Sequence, residues 1–133
     1  VGVEFDIDDF KTINDMYGHA FGDVALKALS EEMQKFFDKN VVLGRNGGDE
    51  FCIFLPDCTC ADVKEKLEEF TKLKRSFKYE GEEQQFTISV GYAEYPVHAD
   101  KPSKLMRCAD TALYEVKLRG KNGCMPCTGK QVP

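Results

Sequence analysis

Apolar and polar positions along the chain change period several times, and each change marks an element. Residues 1–7 open on an apolar run, Val1 to Phe5, and read as a strand. A short helix is expected over 9–16, and Gly18 to Gly22 reads as a turn. Over 23–37, Val24, Leu26, Ala28, Leu29, Met33 and Phe36 recur at helical spacing and predict a longer helix. Two apolar runs follow, Val41-Val42-Leu43 and Phe51-Cys52-Ile53-Phe54-Leu55, with Gly47-Gly48 between them. Glycine adopts positive φ without steric cost, so this passage predicts a β-hairpin. Residues 56–59 form a loop, and 61–74 a helix with Val63, Leu67, Phe70 and Leu73 as its apolar stripe. Residues 86–93 are rich in strand formers, and Pro102 starts a last helix reaching 118, since proline suits a first helical turn. Strands and helices alternating around one antiparallel hairpin predict an α+β sheet covered by helices.

Composition narrows the function class. The 133 residues suit one domain, with 42% hydrophobic and 31% charged residues. No apolar run nears the roughly 20 residues that span a bilayer, and no signal peptide is visible. The expectation is a cytoplasmic domain without membrane contact of its own, whatever anchors its parent. A net charge of −5 argues against a nucleic-acid polymer as partner, because phosphate-backbone binding draws on surplus Lys and Arg. A small anionic nucleotide remains open, with metal ions and local lysines to neutralise it. Six cysteines are present. Cys52 and Cys108 are expected as buried thiols. Cys58-Thr59-Cys60 and Cys124-Met125-Pro126-Cys127 offer four thiolates for zinc, but C-x-C spacing is poor and nothing local joins the pairs, so reduced thiols are expected.

The acids point to chemistry. Asp49 and Glu50 stand side by side where a buried strand begins, and Asp6-Ile7-Asp8-Asp9 closes the first apolar run. A carboxylate at a buried margin is costly unless paired or metal-bound, although strand-end acids often simply face water. Mg²⁺ favours a few carboxylates plus substrate phosphate oxygens, so acidic strand ends with a glycine turn suggest a divalent-metal site for phosphate transfer. Asp9-Phe10-Lys11 opens a predicted helix, where free N–H groups and the helix dipole suit phosphate and Lys11 adds charge. An isolated stretch of this kind would instead be an ordinary capped helix.

These segments together resemble the GGDEF family, the diguanylate cyclases. The pattern Asp-x-Asp-x-Phe-Lys-x-Ile-Asn-Asp appears as Asp6 to Asp15, and Gly-His-x-x-Gly-Asp as Gly18 to Asp23. Gly47-Gly48-Asp49-Glu50-Phe51 follows, then Thr87-Ile88-Ser89-Val90-Gly91. Ala109-Asp110-Thr111-Ala112-Leu113-Tyr114 with Lys117 and Gly120-Lys121-Asn122 completes an ordered match over about residues 1–122. The resemblance implies a ferredoxin-like palm, shared with adenylyl cyclases and polymerases. It implies condensation of two GTP to cyclic di-GMP across a homodimer, permanent or transient. Asp6, the carbonyl of Ile7 and the hairpin acids Asp49 and Glu50 are the implied ligands of Mg²⁺ or Mn²⁺. Which acid binds metal and which activates the 3′-hydroxyl stays open. Phe10, Lys11, Gly47 and Gly48 fall at the phosphate site. Asn14 and Asp23 match the guanine readers, since a carboxylate accepts from N1–H and the 2-amino group together. Asp23 is also expected as a helix N-cap. His19 has a minor place there.

The chain also departs from the pattern. Lys117 and Lys121 fall where the family uses basic residues on phosphates, and Lys121 stands where Arg is usual, losing the planar fork. The product-inhibition motif Arg-x-x-Asp is matched by Asp38-Lys39-Asn40-Val41, with neither partner present. The family normally has a helix and an Asp-x-Leu-Thr-Gly-like segment ahead of this point, so the chain is expected to be a piece of a longer protein with an upstream sensory part. The tail, 123–133, is expected to be weakly ordered. The rival expectation is a catalytically silent GTP-binding regulatory module; Asp23 disfavours an enzyme making a mixed adenine–guanine dinucleotide.

Overall fold

The structure, a computed structural model, describes residues 1–37, 42–45 and 50–128. Its centre is β1 (Gly2–Ile7), buried along its whole length. The elements that follow are α1 (Phe10–Tyr17), α2 (His19–Phe36), β2 (Val42–Arg45), β3 (Glu50–Phe54), α3 (Cys60–Lys72), β4 (Arg75–Tyr79), β5 (Glu82–Phe86), β6 (Ile88–Ala93), α4 (Pro102–Leu118) and β7 (Cys124–Pro126). The main sheet runs β2-β3-β1-β6-β7, and β4-β5 form a separate hairpin. β1 pairs antiparallel with β3 and β6, while β7 joins β6 in parallel. This is the α+β architecture expected.

Alternation along β1 decides what each face meets. A Cβ on Gly2 would strike Met106 and Leu105 of α4, so Gly2, Glu4 and Asp6 lie beneath that helix. Val3, Phe5 and Ile7 point the other way, where Phe5 stacks on Phe51 and meets Phe70 of α3 edge-on at 5.6 Å. Leu26, Leu29 and Met33 of α2 join the same core. α4 approaches β6 so closely that a Cβ on Gly91 would stand 2.2 Å from the Leu113 nitrogen and 2.3 Å from the Ala109 carbonyl. Arg75 is buried and donates to the carbonyls of Phe70, Thr71 and Leu73, and to Glu32 at 2.8 Å. It thereby satisfies the free carbonyls at the end of α3 and ties that end to α2.

Several expectations are corrected. Residues 18–22 are not an extended turn. Gly18, at φ 88°, ends α1 and begins α2, so α2 starts at His19 and Asp23 lies inside the helix rather than capping it. That rotation leaves Val24 60% exposed, and Ala28 is exposed too, while Ala25 takes a core place. Leu73 falls after α3 and is 39% exposed. The β4–β5 hairpin turns on Glu80-Gly81, both at positive φ, in a stretch too polar to read as strand. Residues 124–126, placed in the loose tail, form β7 because Val90 N–H bonds the Gly123 carbonyl and Cys127 N–H that of Tyr92. No helix among the described residues is long and apolar enough to cross a membrane.

Candidate functional site

The register of β1 against β3 sets Asp6 directly opposite Glu50. Asp6 is 3% exposed, and its carboxylate is ion-paired to the Lys117 ammonium from the last turn of α4. Glu50 and Lys117 also line an open groove of about 380 Å³, completed by Asp110, Thr111, Leu113 and Tyr114. Acids far apart in sequence, expected to meet, therefore converge with a lysine between strand ends and α4. Ile7 ends β1, 2% exposed, opposite Ile88.

Asp6, the Ile7 carbonyl and Glu50 offer hard oxygen donors, the chemistry suited to Mg²⁺ or Mn²⁺ rather than to soft metals. Lys117 balances the charge of Asp6. No three of His, Cys, Asp and Glu converge as a metal cage among the described residues. Asp49, Gly47 and Gly48, and the side chain of His19, lie outside the described residues, as does the segment 38–41.

Next to this point, α1 starts at Phe10, with Asp9 before it in a left-handed conformation (φ 57°) and no side-chain cap. Asp9 thus leaves the first-turn N–H groups without a side-chain cap, and Lys11 beside them is exposed. Phe10 leans on the core. Lys121 reaches across to pair with Asp9. That hydrogen bond, with the Asp9 charge, pushes the Lys121 ammonium above its ordinary value and keeps it protonated.

The base-reading candidates lie around α2. Asp23 is exposed and lines an open cleft of about 550 Å³ with Leu26, Lys27, Ser30, Gln34 and Phe51. Asn14 sits on α1 against Gly22, one residue before Asp23. Its Oδ1 is buried without a hydrogen-bond partner among the described residues. A Cβ on Gly22 would lie 2.1 Å from that oxygen. That acceptor lies against the residue preceding Asp23, which lines the cleft. Gly22 thus makes room for Asn14, a role that only the glycine of the Gly-His-x-x-Gly-Asp stretch hints at.

Asp8 had no assigned role in the sequence, and the structure gives it one. It is 6% exposed and accepts from Ser89 Oγ at 2.5 Å, Thr87 Oγ1 at 2.6 Å and the Asn122 N–H at 2.9 Å. Nothing local marks those partners, which come from two distant segments. Cys60 opens α3 and Cys124 lies on β7; burial pushes the first thiol up to about 11 and the second to about 12.

A family model described as "Diguanylate cyclase, GGDEF domain" matches residues 3–123. Diguanylate cyclase A of Treponema denticola is 34% identical over 119 residues, covering 88% of this chain and 32% of that protein. The cyclic di-GMP phosphodiesterase PdeR of Escherichia coli is 35% identical over 123 residues, 91% of this chain and 19% of that one. The active GGEEF domain of a diguanylate cyclase from Vibrio cholerae superposes with a TM-score of 0.87 at 27% identity, covering 98% of this chain and 83% of its own. The palm-like fold of these domains is the fold seen here. The chain spans about a third or less of the two full-length relatives.

Proposed function

Because this chain belongs to the GGDEF domain family of the diguanylate cyclases, we propose that it condenses two GTP molecules into one cyclic di-GMP and two pyrophosphates. The observation that carries this reading is the pairing of Asp6 with Glu50 across two strands, with Lys117 bound to the former. Asp6, the Ile7 carbonyl and Glu50, together with Asp49, would hold Mg²⁺ or Mn²⁺, which would supply positive charge to offset that of the phosphates. Lys117 and Lys121 offset the remaining phosphate charge, and the N-terminus of α1 at Phe10 and Lys11 supplies N–H donors. Asn14 and Asp23 orient guanine at the 550 Å³ cleft, fixing the α-phosphorus relative to the acids. Gly47 and Gly48, which lack side chains, are assigned to the phosphate site by the family motif they match. One of the two hairpin acids accepts the proton of the attacking 3′-hydroxyl.

Each protomer holds one GTP, and its 3′-hydroxyl attacks the α-phosphorus held by the other, so ring closure needs two protomers in antiparallel contact. The likeness to a chain named as a phosphodiesterase supports a second reading, a GTP-binding module that regulates an attached domain without turnover. Incubation of this chain with GTP and Mg²⁺ separates the two. Mass spectrometry is expected to find cyclic di-GMP, with specific activity rising with protein concentration. Asp6→Asn and Glu50→Gln should abolish product with circular dichroism unchanged. GTP bound without any product would establish the regulatory module, and product formation by both variants would remove the acids from the mechanism.

A further inference from the structure

Asp8 lies two residues beyond Asp6 yet points at protein rather than at the groove. Both of its oxygens are occupied: Oδ1 by the Ser89 hydroxyl, Oδ2 by the Thr87 hydroxyl and the Asn122 N–H. Its own N–H donates to the Thr87 carbonyl at 2.9 Å. One buried carboxylate therefore joins the end of β1, the start of β6 and the turn after α4. That turn is conformationally demanding. Lys121 and Asn122 are consecutive non-glycine residues in the left-handed region, at φ 65° and 47°. Other tethers of that turn include the Gly120 N–H to the Lys117 carbonyl, the Lys121 N–H to the Val116 carbonyl, the Lys121 ammonium to Asp9, the Asn122 carbonyl held by exposed Lys72, and the Gly123 carbonyl held by Val90 N–H.

We propose that Asp8 is a positioning residue for the phosphate end of the nucleotide: by gripping Asn122 it aims Lys121 at Asp9 and the start of α1. This rests on the reading that GTP phosphates occupy that place. Lys121 is the flexible substitute for a planar guanidinium, so it depends more on a fixed backbone to deliver its charge. The hydrogen-bond pattern also separates positioning from charge. An asparagine at position 8 can keep an oxygen toward Thr87 and Asn122 while its amide donates to the Ser89 hydroxyl, which accepts as readily as it donates. An alanine can do neither.

The test uses guanosine and 3′-deoxy-GTP, which cannot condense, titrated calorimetrically with Mg²⁺. The wild-type chain is expected to bind 3′-deoxy-GTP more tightly than guanosine. Asp8→Ala should weaken 3′-deoxy-GTP about tenfold, in line with losing a charged hydrogen bond, and leave guanosine unchanged. Asp8→Asn should return to within about threefold of wild type, by the satisfaction argument above. The Asn122 amide should exchange slowly in wild type and Asp8→Asn and fast in Asp8→Ala. Should Asp8→Ala fail to fold, Thr87→Val removes one bond to the carboxylate and is expected to weaken 3′-deoxy-GTP alone by a smaller factor. Equal losses for guanosine and 3′-deoxy-GTP, no loss, or an Asp8→Asn variant as weak as Asp8→Ala would overturn the proposal. A wild-type chain that binds the two probes equally would overturn the nucleotide reading beneath it.

Discussion

Replacing Gly22 by alanine probes the base-reading role proposed for Asn14 without substituting Asn14 itself. The added Cβ would lie 2.1 Å from Asn14 Oδ1, where real contacts stay beyond 3.0 Å, so the amide must retreat by about 1 Å. Two opposing terms set the effect on folding. Alanine is favoured over glycine inside a helix by about 0.8–1.0 kcal/mol. Asn14 Oδ1 makes no hydrogen bond among the described residues, so its displacement forfeits little in the free protein beyond rotamer strain of about 0.5–1.5 kcal/mol. The terms nearly cancel, and thermal stability should barely move. Binding has no such offset. A guanine donor left facing a displaced acceptor costs about 1–3 kcal/mol, a loss of roughly 5–150-fold in affinity. Calorimetry with 3′-deoxy-GTP measures this directly, and a cycle with Asn14→Ala identifies the route. If Gly22 acts through Asn14, Gly22→Ala should have no further effect once the amide is gone. Additive losses would refute the reasoning, as would a fall in Tm that accounts for the weaker binding.

Two further outcomes are expected. Gly91→Ala sets a Cβ against α4 backbone at 2.2 and 2.3 Å, which no side-chain rotation relieves; overpacking of about 1–3 kcal/mol should lower Tm by on the order of 5–15 °C, and a shift under about 2 °C would contradict the close β6–α4 contact. Burial holds the Cys60 thiol up at about 11 and Cys124 at about 12, and raises the Tyr92 phenol as well. The unfolded chain ionises its thiols at lower pH than the folded one, so above about pH 9 it binds fewer protons and stability falls as pH rises. Denaturant titrations at pH 8 and pH 10.5 should show that decline, reduced in Cys124→Ala; a flat profile would mean these thiols are open to water.

Local pattern alone carried much of this protein. Pro102 and the apolar spacing behind it predict α4 to its observed ends, and the apolar run from Val1 predicts the central strand. The carboxylates at the ends of two apolar runs signal Asp6 and Glu50, because a strand-end acid is visible wherever its neighbours are apolar. Periodicity placed Leu26, Leu29 and Met33 on the inner face of α2 but also counted Val24 and Ala28, which are exposed, and missed Ala25, which is buried. It gave no sign of β7, three residues that become a strand only because β6 offers them an edge. Nor could it give Asp8 its work, for the group it grips on Asn122 lies 114 residues away along the chain. Propensity and alternation act over a few residues and leave their record in composition. Partners brought together by closing a long loop leave no local record, and only the folded chain determines which buried carboxylate pairs with Lys117 and which holds a turn.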